Sequence, residues 1–152
     1  FNNYIIIRAS NIFGYLKLKR KGEQKKNLVH MFCEEAFNRK LIEIHNPNVI
    51  KNFLPISVLI DHIKIVLKTN KYDNKIINLG SRSLTLYNLA LQIQRRIKIL
   101  KKEKIKILIN QKLFTKKPQH KFKSLIKKII YSPKLFNNEI DNIIRLLSQK
   151  KI

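Results

Sequence analysis

Tyr4-Ile5-Ile6-Ile7-Arg8-Ala9-Ser10-Asn11-Ile12-Phe13-Gly14 is the stretch whose reading decides the fold. It opens with an unbroken apolar run, Tyr4 to Ile7. Such a run is too short for a helix and rich in β-branched side chains. It has no polar face, so it reads as a parallel-sheet strand buried on both sides. Arg8, Ser10 and Asn11 follow at once, and Gly14 closes the segment. Ligands of open α/β sheets sit beyond the carboxyl ends of the strands, which makes these polar residues candidate contacts. The plainer reading is a central strand leaving through a turn, and the residues alone favour it.

Outward from this stretch, residues 15–26 form a polar, basic loop. Asn27 reads as the cap of a helix whose apolar stripe is Val29, Phe32, Cys33, Ala36 and Phe37. Ile42-Glu43-Ile44 alternates as a strand, Asn46-Pro47-Asn48 is turn chemistry, and an apolar stretch follows from Val49 to Ile56. Ser57 is the expected cap of a second helix, with Leu59, Ile63, Val66 and Leu67 inward. Ile76 to Ser81 reads as a strand ending in a tight turn, where Gly80 is expected to take an unusual backbone angle. Thr85 caps a helix with Leu86, Leu89, Ala90, Ile93 and Ile97 on one face, and Ile105 to Ile109 alternates as a strand. A further stripe runs from Phe122 to Ile130. Asn138 is the expected cap of a last helix carrying Ile140, Ile143, Ile144 and Leu147.

Four blocks, in order, resemble the extended short-chain dehydrogenase/reductases, the NAD-dependent epimerase/dehydratase family acting on nucleotide sugars. Arg8, Asn11, Ile12, Phe13 and Gly14 match its "I-L-R-x-x-N-V-Y-G" block, and Asn27-Leu28 its "N-L" pair. Lys51-Asn52-Phe53-Leu54 is similar to "R-D-F-V", with Lys and Asn in place of Arg and Asp. Asn78, Gly80 and Ser81 match "x-x-N-x-G-S". The likeness covers about Tyr4 to Ile97 well. Later, Lys117-Pro118 and Tyr131-Ser132-Pro133 match "R-P" and "G-W-x-P" faintly.

The resemblance implies an α/β fold: the carboxyl-terminal part of a Rossmann-like NAD-binding fold plus a small α/β substrate-binding domain. It implies that residues 1–14 end the dinucleotide layer. Residues 15–152 are then mostly substrate-binding domain with interleaved return strands. The implied ligand is a nucleotide-diphosphate sugar, held by Asn11, Asn27, Leu28 and Lys51, with His45 beside the base. Lys51 keeps the charge of the family's arginine and loses its bidentate fork. Asn27 as a mere cap, and Lys51 as one more surface lysine, are the plain alternatives. The implied cofactor is NAD. Its Gly-rich turn and the family's catalytic Tyr-x-x-x-Lys lie upstream of the first block in relatives and are expected to be missing here, so no catalytic residue is assigned. No metal site is read from His30, His62 or His120.

The chain has 152 residues, enough for one domain. It does not begin with Met and enters a strand after three residues. The expectation is a carboxyl-terminal fragment of a longer enzyme, inactive alone, with any homodimer formed through helices upstream. The formal charge is +24, from 33 Lys and Arg against 9 Asp and Glu. That balance permits a basic nucleic-acid-binding module. The basic residues are spread over the whole chain, however, and interleave with Ile more than with aromatics, as an AT-rich gene would encode. A decayed, non-catalytic remnant of the family is the third reading. One cysteine, Cys33, excludes an internal disulfide and fits a reducing cytoplasm. No apolar stretch is long enough to span a bilayer.

Overall fold

The computed structural model describes residues 4–14, 27–110 and 132–149. The element order is β1 (Ile5–Ala9), β2 (Asn11–Phe13), α1 (Leu28–Arg39), β3 (Leu41–Ile44), β4 (Ile50–Pro55), α2 (Ile56–Leu67), a 3₁₀ turn (Asn70–Tyr72), β5 (Lys75–Leu79), β6 (Arg82–Thr85), α3 (Leu86–Lys101), β7 (Lys106–Ile109) and α4 (Pro133–Gln149). The fold is mixed α/β, as the sequence implies.

The opening stretch is two strands, not one. β1 pairs in parallel with β5, Ile5 opposite Lys75 through Ala9 opposite Leu79. At Ser10 the chain changes sheets. β2 then pairs in parallel with β4, Asn11 opposite Phe53, and β4 pairs antiparallel with β6. β3 and β7 form a third, parallel pair.

β4 is the wall between two cores. Successive strand residues face opposite sides, so Phe53 enters one core and Leu54 the other. The larger core joins Phe13 and Phe53 to stripes from α1, α3 and α4. The Phe13 and Phe136 rings meet edge to face at 4.8 Å between centroids. The smaller core holds Leu54, Val58, Val66, Ile77 and Leu79, with Ile5 and Ile7 packed against it. Burying each such side chain stabilises by about 1.5–3 kcal/mol.

The α1 stripe is as expected, and Asn27 Oδ1 accepts the His30 N–H at 3.0 Å. Thr85 likewise caps α3 through Asn88 N–H at 3.1 Å. Other expectations are corrected. β1 is not buried on both faces: Ile5 and Ile7 pack against the smaller core, while Ile6, on the opposite face, is 46% exposed. Ser57 does not cap α2. The helix starts at Ile56 after Pro55, which carries no side-chain cap. Its buried stripe is Val58, His62 and Val66, while Leu67 is 76% exposed. Gly80 keeps a negative φ; Gly14 is the described glycine at positive φ, 151°. A methyl on Gly14 would overlap Ile56 Cγ2 and lie 2.9 Å from Glu139 Oε2. Asn138 lies inside α4, which begins at Pro133, a residue suited to the first helical position. The stripe expected from Phe122 to Ile130 lies outside the described residues.

Arg96 on α3 grips Asp141 on α4 with two hydrogen bonds, 2.7 Å from Nε and 2.5 Å from Nη2. Asp141 is 5% exposed, and its hydrogen bonds push the Arg96 pKa up. Removing one partner of a buried pair strands the other. Asp141→Asn is therefore expected to cost about 3 kcal/mol, read as a lower urea midpoint at unchanged slope.

His62 is buried, with Nδ1 2.7 Å from the Val58 carbonyl, so Nδ1 carries the proton. Burial lowers its pKa below the ordinary 6.5. The unfolded chain thus takes up a proton before the folded one does. The contribution to stability is intact above the unfolded pKa and is lost as pH falls below it. Urea titrations at about pH 7 and about pH 5.5 are expected to differ more for the native chain than for His62→Asn.

Candidate functional site

The switch of the chain from β1 to β2 puts Asn11 two residues beyond the carboxyl end of β1. Asn11 Nδ2 donates to the Asn52 carbonyl at 2.8 Å, which locks its amide against β4. Lys51 shares a strand face with Asn11, because Asn11 is opposite Phe53 and Lys51 is two residues before it. Both side chains are exposed. Asn27, at the head of α1, donates from Nδ2 to the Ile12 carbonyl at 3.1 Å. Three of the expected residues, far apart in sequence, thus gather around β2.

Asn27 is a cap and a staple at once, since Oδ1 holds the His30 N–H and Nδ2 holds β2. The first backbone N–H groups of a helix have no intrahelical acceptor and carry partial positive charge. Leu28 and Val29 supply them here.

The other two expected residues, Leu28 and His45, line one groove of about 660 Å³. Its apolar surface comes from Leu28, Met31, Phe32, Ile44 and Leu86, and His45 and Asn46 also line it. Glu35 braces one wall: its Oε2 accepts the Glu43 N–H at 3.1 Å and its Oε1 accepts from Arg39 at 3.0 Å. The volume is that of a small-molecule pocket. Asn27 and Leu28 are consecutive, so the groove and the cluster around β2 meet at the head of α1.

Asn52 is the residue whose role the sequence did not disclose. There it reads as a substitution for an acid. In the fold it is 9% exposed and ties three segments together. Oδ1 accepts the Ser81 N–H at 3.0 Å, Nδ2 donates to Ser83 Oγ at 3.1 Å, and its carbonyl holds Asn11. A polar side chain within an apolar strand was the available signal. The hydroxyls of Ser10 and Ser81, just past β1 and β5, are buried without a hydrogen-bond partner among the described residues. Buried polar atoms of this kind require an explanation.

The described residues do not fit the pyrophosphate of NAD. A dinucleotide turn needs glycines that let backbone approach the phosphates. Gly14 is instead filled by Ile56 and Glu139. One expectation is corrected by the sequence itself. Tyr15 does carry a lysine four residues on, Lys19. The pair follows the first block instead of preceding it, lies outside the described residues, and receives no catalytic role. Lys117-Pro118 and Tyr131 also lie outside them.

Cys33 is fully buried, and burial pushes its thiol pKa up. Among the described residues no group of three or more His, Cys, Asp or Glu is placed to hold a metal, and no helix is long and apolar enough to cross a membrane.

Asn52→Leu keeps the branched side-chain shape and removes both amide hydrogen bonds. It leaves the Ser81 N–H unpaired and is expected to cost about 1–3 kcal/mol. In proton NMR the Asn11 side-chain amide resonances are expected to shift with it, which a purely remote loss of stability would not produce.

No family model and no curated protein matches the sequence. Solved structures do. A UDP-N-acetylglucosamine 4-epimerase from Bacillus cereus is 18% identical, with a TM-score of 0.67, over 95% of this chain and 48% of that one. One from Methanobrevibacter ruminantium M1, in complex with UDP-N-acetylmuramic acid, is 15% identical with a TM-score of 0.67, over 97% and 47%. A UDP-glucuronic acid 4-epimerase from Bacillus cereus, in complex with NAD, is 14% identical with a TM-score of 0.59, over 97% and 45%. The chain spans about half the length of these proteins. At this level of identity the likeness establishes the fold: the chain is built as the carboxyl-terminal portion of the Rossmann-like nucleotide-sugar epimerase structures.

Proposed function

We propose that this chain is the nucleotide-sugar-holding part of an NAD-dependent nucleotide-sugar epimerase or dehydratase of the extended short-chain dehydrogenase/reductase family. The observation that carries the proposal is the fastening of Asn11 and Asn27 around β2, with Lys51 on the Asn11 face of β4 and Leu28 and His45 in the adjoining groove. The epimerase structures named above support the ligand class.

In this reading the division of labour follows from chemistry. Lys51 and the free N–H groups at the head of α1 take the two phosphates. Leu28 and Phe32 offer an apolar bed for the base, and His45 lies against its edge or face. Asn11, anchored by Asn52, offers its amide to the sugar. Residues 1–14 close the dinucleotide layer, and residues 15–152 are mostly substrate domain, with β5 returning to the dinucleotide layer. The NAD site, the reacting groups and any dimer contact belong to a longer polypeptide, and the whole works in a reducing cytoplasm.

The net charge of +24 favours a second reading, a nucleic-acid-binding module. Calorimetric titration with UDP-glucose separates the two. Lys51→Ala is expected to weaken binding about tenfold, or about 1.4 kcal/mol, and Lys51→Arg to match or exceed the native affinity by restoring the fork. Equal affinity in all three overturns the assignment of Lys51. Binding to RNA that outcompetes UDP-glucose and falls steeply with salt supports the second reading.

A further inference from the structure

The groove along α1 carries a charge opposite to that of the chain. Three of the nine acidic residues in a chain of charge +24, Glu34, Glu35 and Glu43, line it. Arg39 lines it too, with its Nη1 held by Glu35 at 3.0 Å. A groove of this sign repels phosphate. An ionised carboxylate accepts hydrogen bonds and donates none. The part of a nucleotide-diphosphate sugar that suits such a groove is therefore uncharged and rich in N–H donors, which is the base.

Glu43 is the carboxylate best placed to meet it. It stands within β3, whose other residues are Leu41, Ile42 and Ile44. Glu35 Oε2 holds its backbone N–H at 3.1 Å, and its Oε1 accepts from Asn110 Nδ2 at 3.4 Å. Asn110 is itself fastened to β3, since its N–H donates to the Ile44 carbonyl at 3.0 Å. The carboxylate is thus steadied from α1 and from the end of β7. It offers about four acceptor positions, and the Asn110 amide takes one of them. Leu28, Phe32 and Glu35 succeed one another along α1. At 1.5 Å per residue, the head of the helix is about 10 Å from Glu35. A ligand with its phosphates at that head and its base on Leu28 and Phe32 turns the far edge of the base toward Glu43.

We infer that this groove selects guanine, with the Glu43 carboxylate accepting from the guanine N1–H and 2-amino group, so that the ligand is a guanosine-diphosphate sugar. The bases separate on their donors. Guanine presents two adjacent N–H donors on one edge, and a carboxylate accepts both side by side. Uracil and thymine present one N–H between two carbonyl oxygens, which repel a carboxylate. Adenine and cytosine present an amino group beside a ring-nitrogen lone pair, so one carboxylate oxygen faces another acceptor. A site built to hydrogen-bond a particular group rejects analogues that lack it. The inference rests on the proposed function and deepens it, because holding a nucleotide sugar does not by itself fix the base.

Calorimetric titration of the complete gene product with GDP-glucose, UDP-glucose and ADP-glucose tests it, since the three differ in the base alone. GDP-glucose is expected to bind at least about tenfold tighter than either of the others. In competition, inosine diphosphate, which lacks the 2-amino group, is expected to bind about tenfold more weakly than GDP. Glu43→Val puts a residue suited to a strand in place of the acid. It is expected to bring the three nucleotide sugars within about threefold of one another. UDP-glucose or ADP-glucose binding as tightly as GDP-glucose overturns the choice of guanine and leaves the functional reading standing. A guanine preference that survives in Glu43→Val overturns the role of Glu43 and likewise spares that reading. Binding of none of the three sinks the functional reading and this inference with it. If Glu43→Val does not fold, the ranking in the native chain and the inosine comparison decide, and equal affinity for GDP and inosine diphosphate overturns the inference.

Discussion

The structure depends on three residues of pairing, Asn11 to Phe13 against Phe53 to Pro55. This short parallel contact joins the two halves of the molecule. On one side β1 runs into the small core with β5 and α2. On the other, Phe13 meets Phe136 and anchors α4 into the large core. Gly14 must then pass Ile56 and Glu139 with no room for a side chain. The same three residues hold the head of α1, through the Ile12 carbonyl, and β4, through Asn11.

That economy explains why the candidate site sits where it does. A strand that leaves one sheet and enters another exposes backbone and polar side chains at the crossing. Fold-building hydrogen bonds there also orient the groups a ligand would meet. Asn27 caps α1 and fastens it to β2 in the same act. Asn52 braces the turn after β5 and the side chain of Asn11 together. At these two positions one side chain both stabilises the fold and orients its neighbours.

The helices show how far local pattern reaches. Val29, Phe32, Cys33, Ala36 and Phe37 are inward as their spacing demands, and Leu89, Ala90, Ile93 and Ile97 likewise. Both helices have caps that can be read from one residue. α2 departs because it begins directly after a strand. Its register is set by the turn at Pro55 rather than by a cap, so His62 replaces Ile63 at the centre of the buried face. α4 departs because Pro133 and Ser132 open it a turn earlier than Asn138.

What the sequence determined by itself was the class of fold, the caps of α1 and α3, and the inward stripes of those two helices. Periodicity and short motifs carry that information, since each depends on neighbours along the chain. Only the tertiary structure decided that the opening stretch divides between two sheets, that Asn52 is a tie, that Gly14 and not Gly80 bends the chain, and that Ile6 and Leu67 face outward. Those outcomes depend on which strands pair at a distance and on which neighbours a strand has. No local pattern of side chains encodes either.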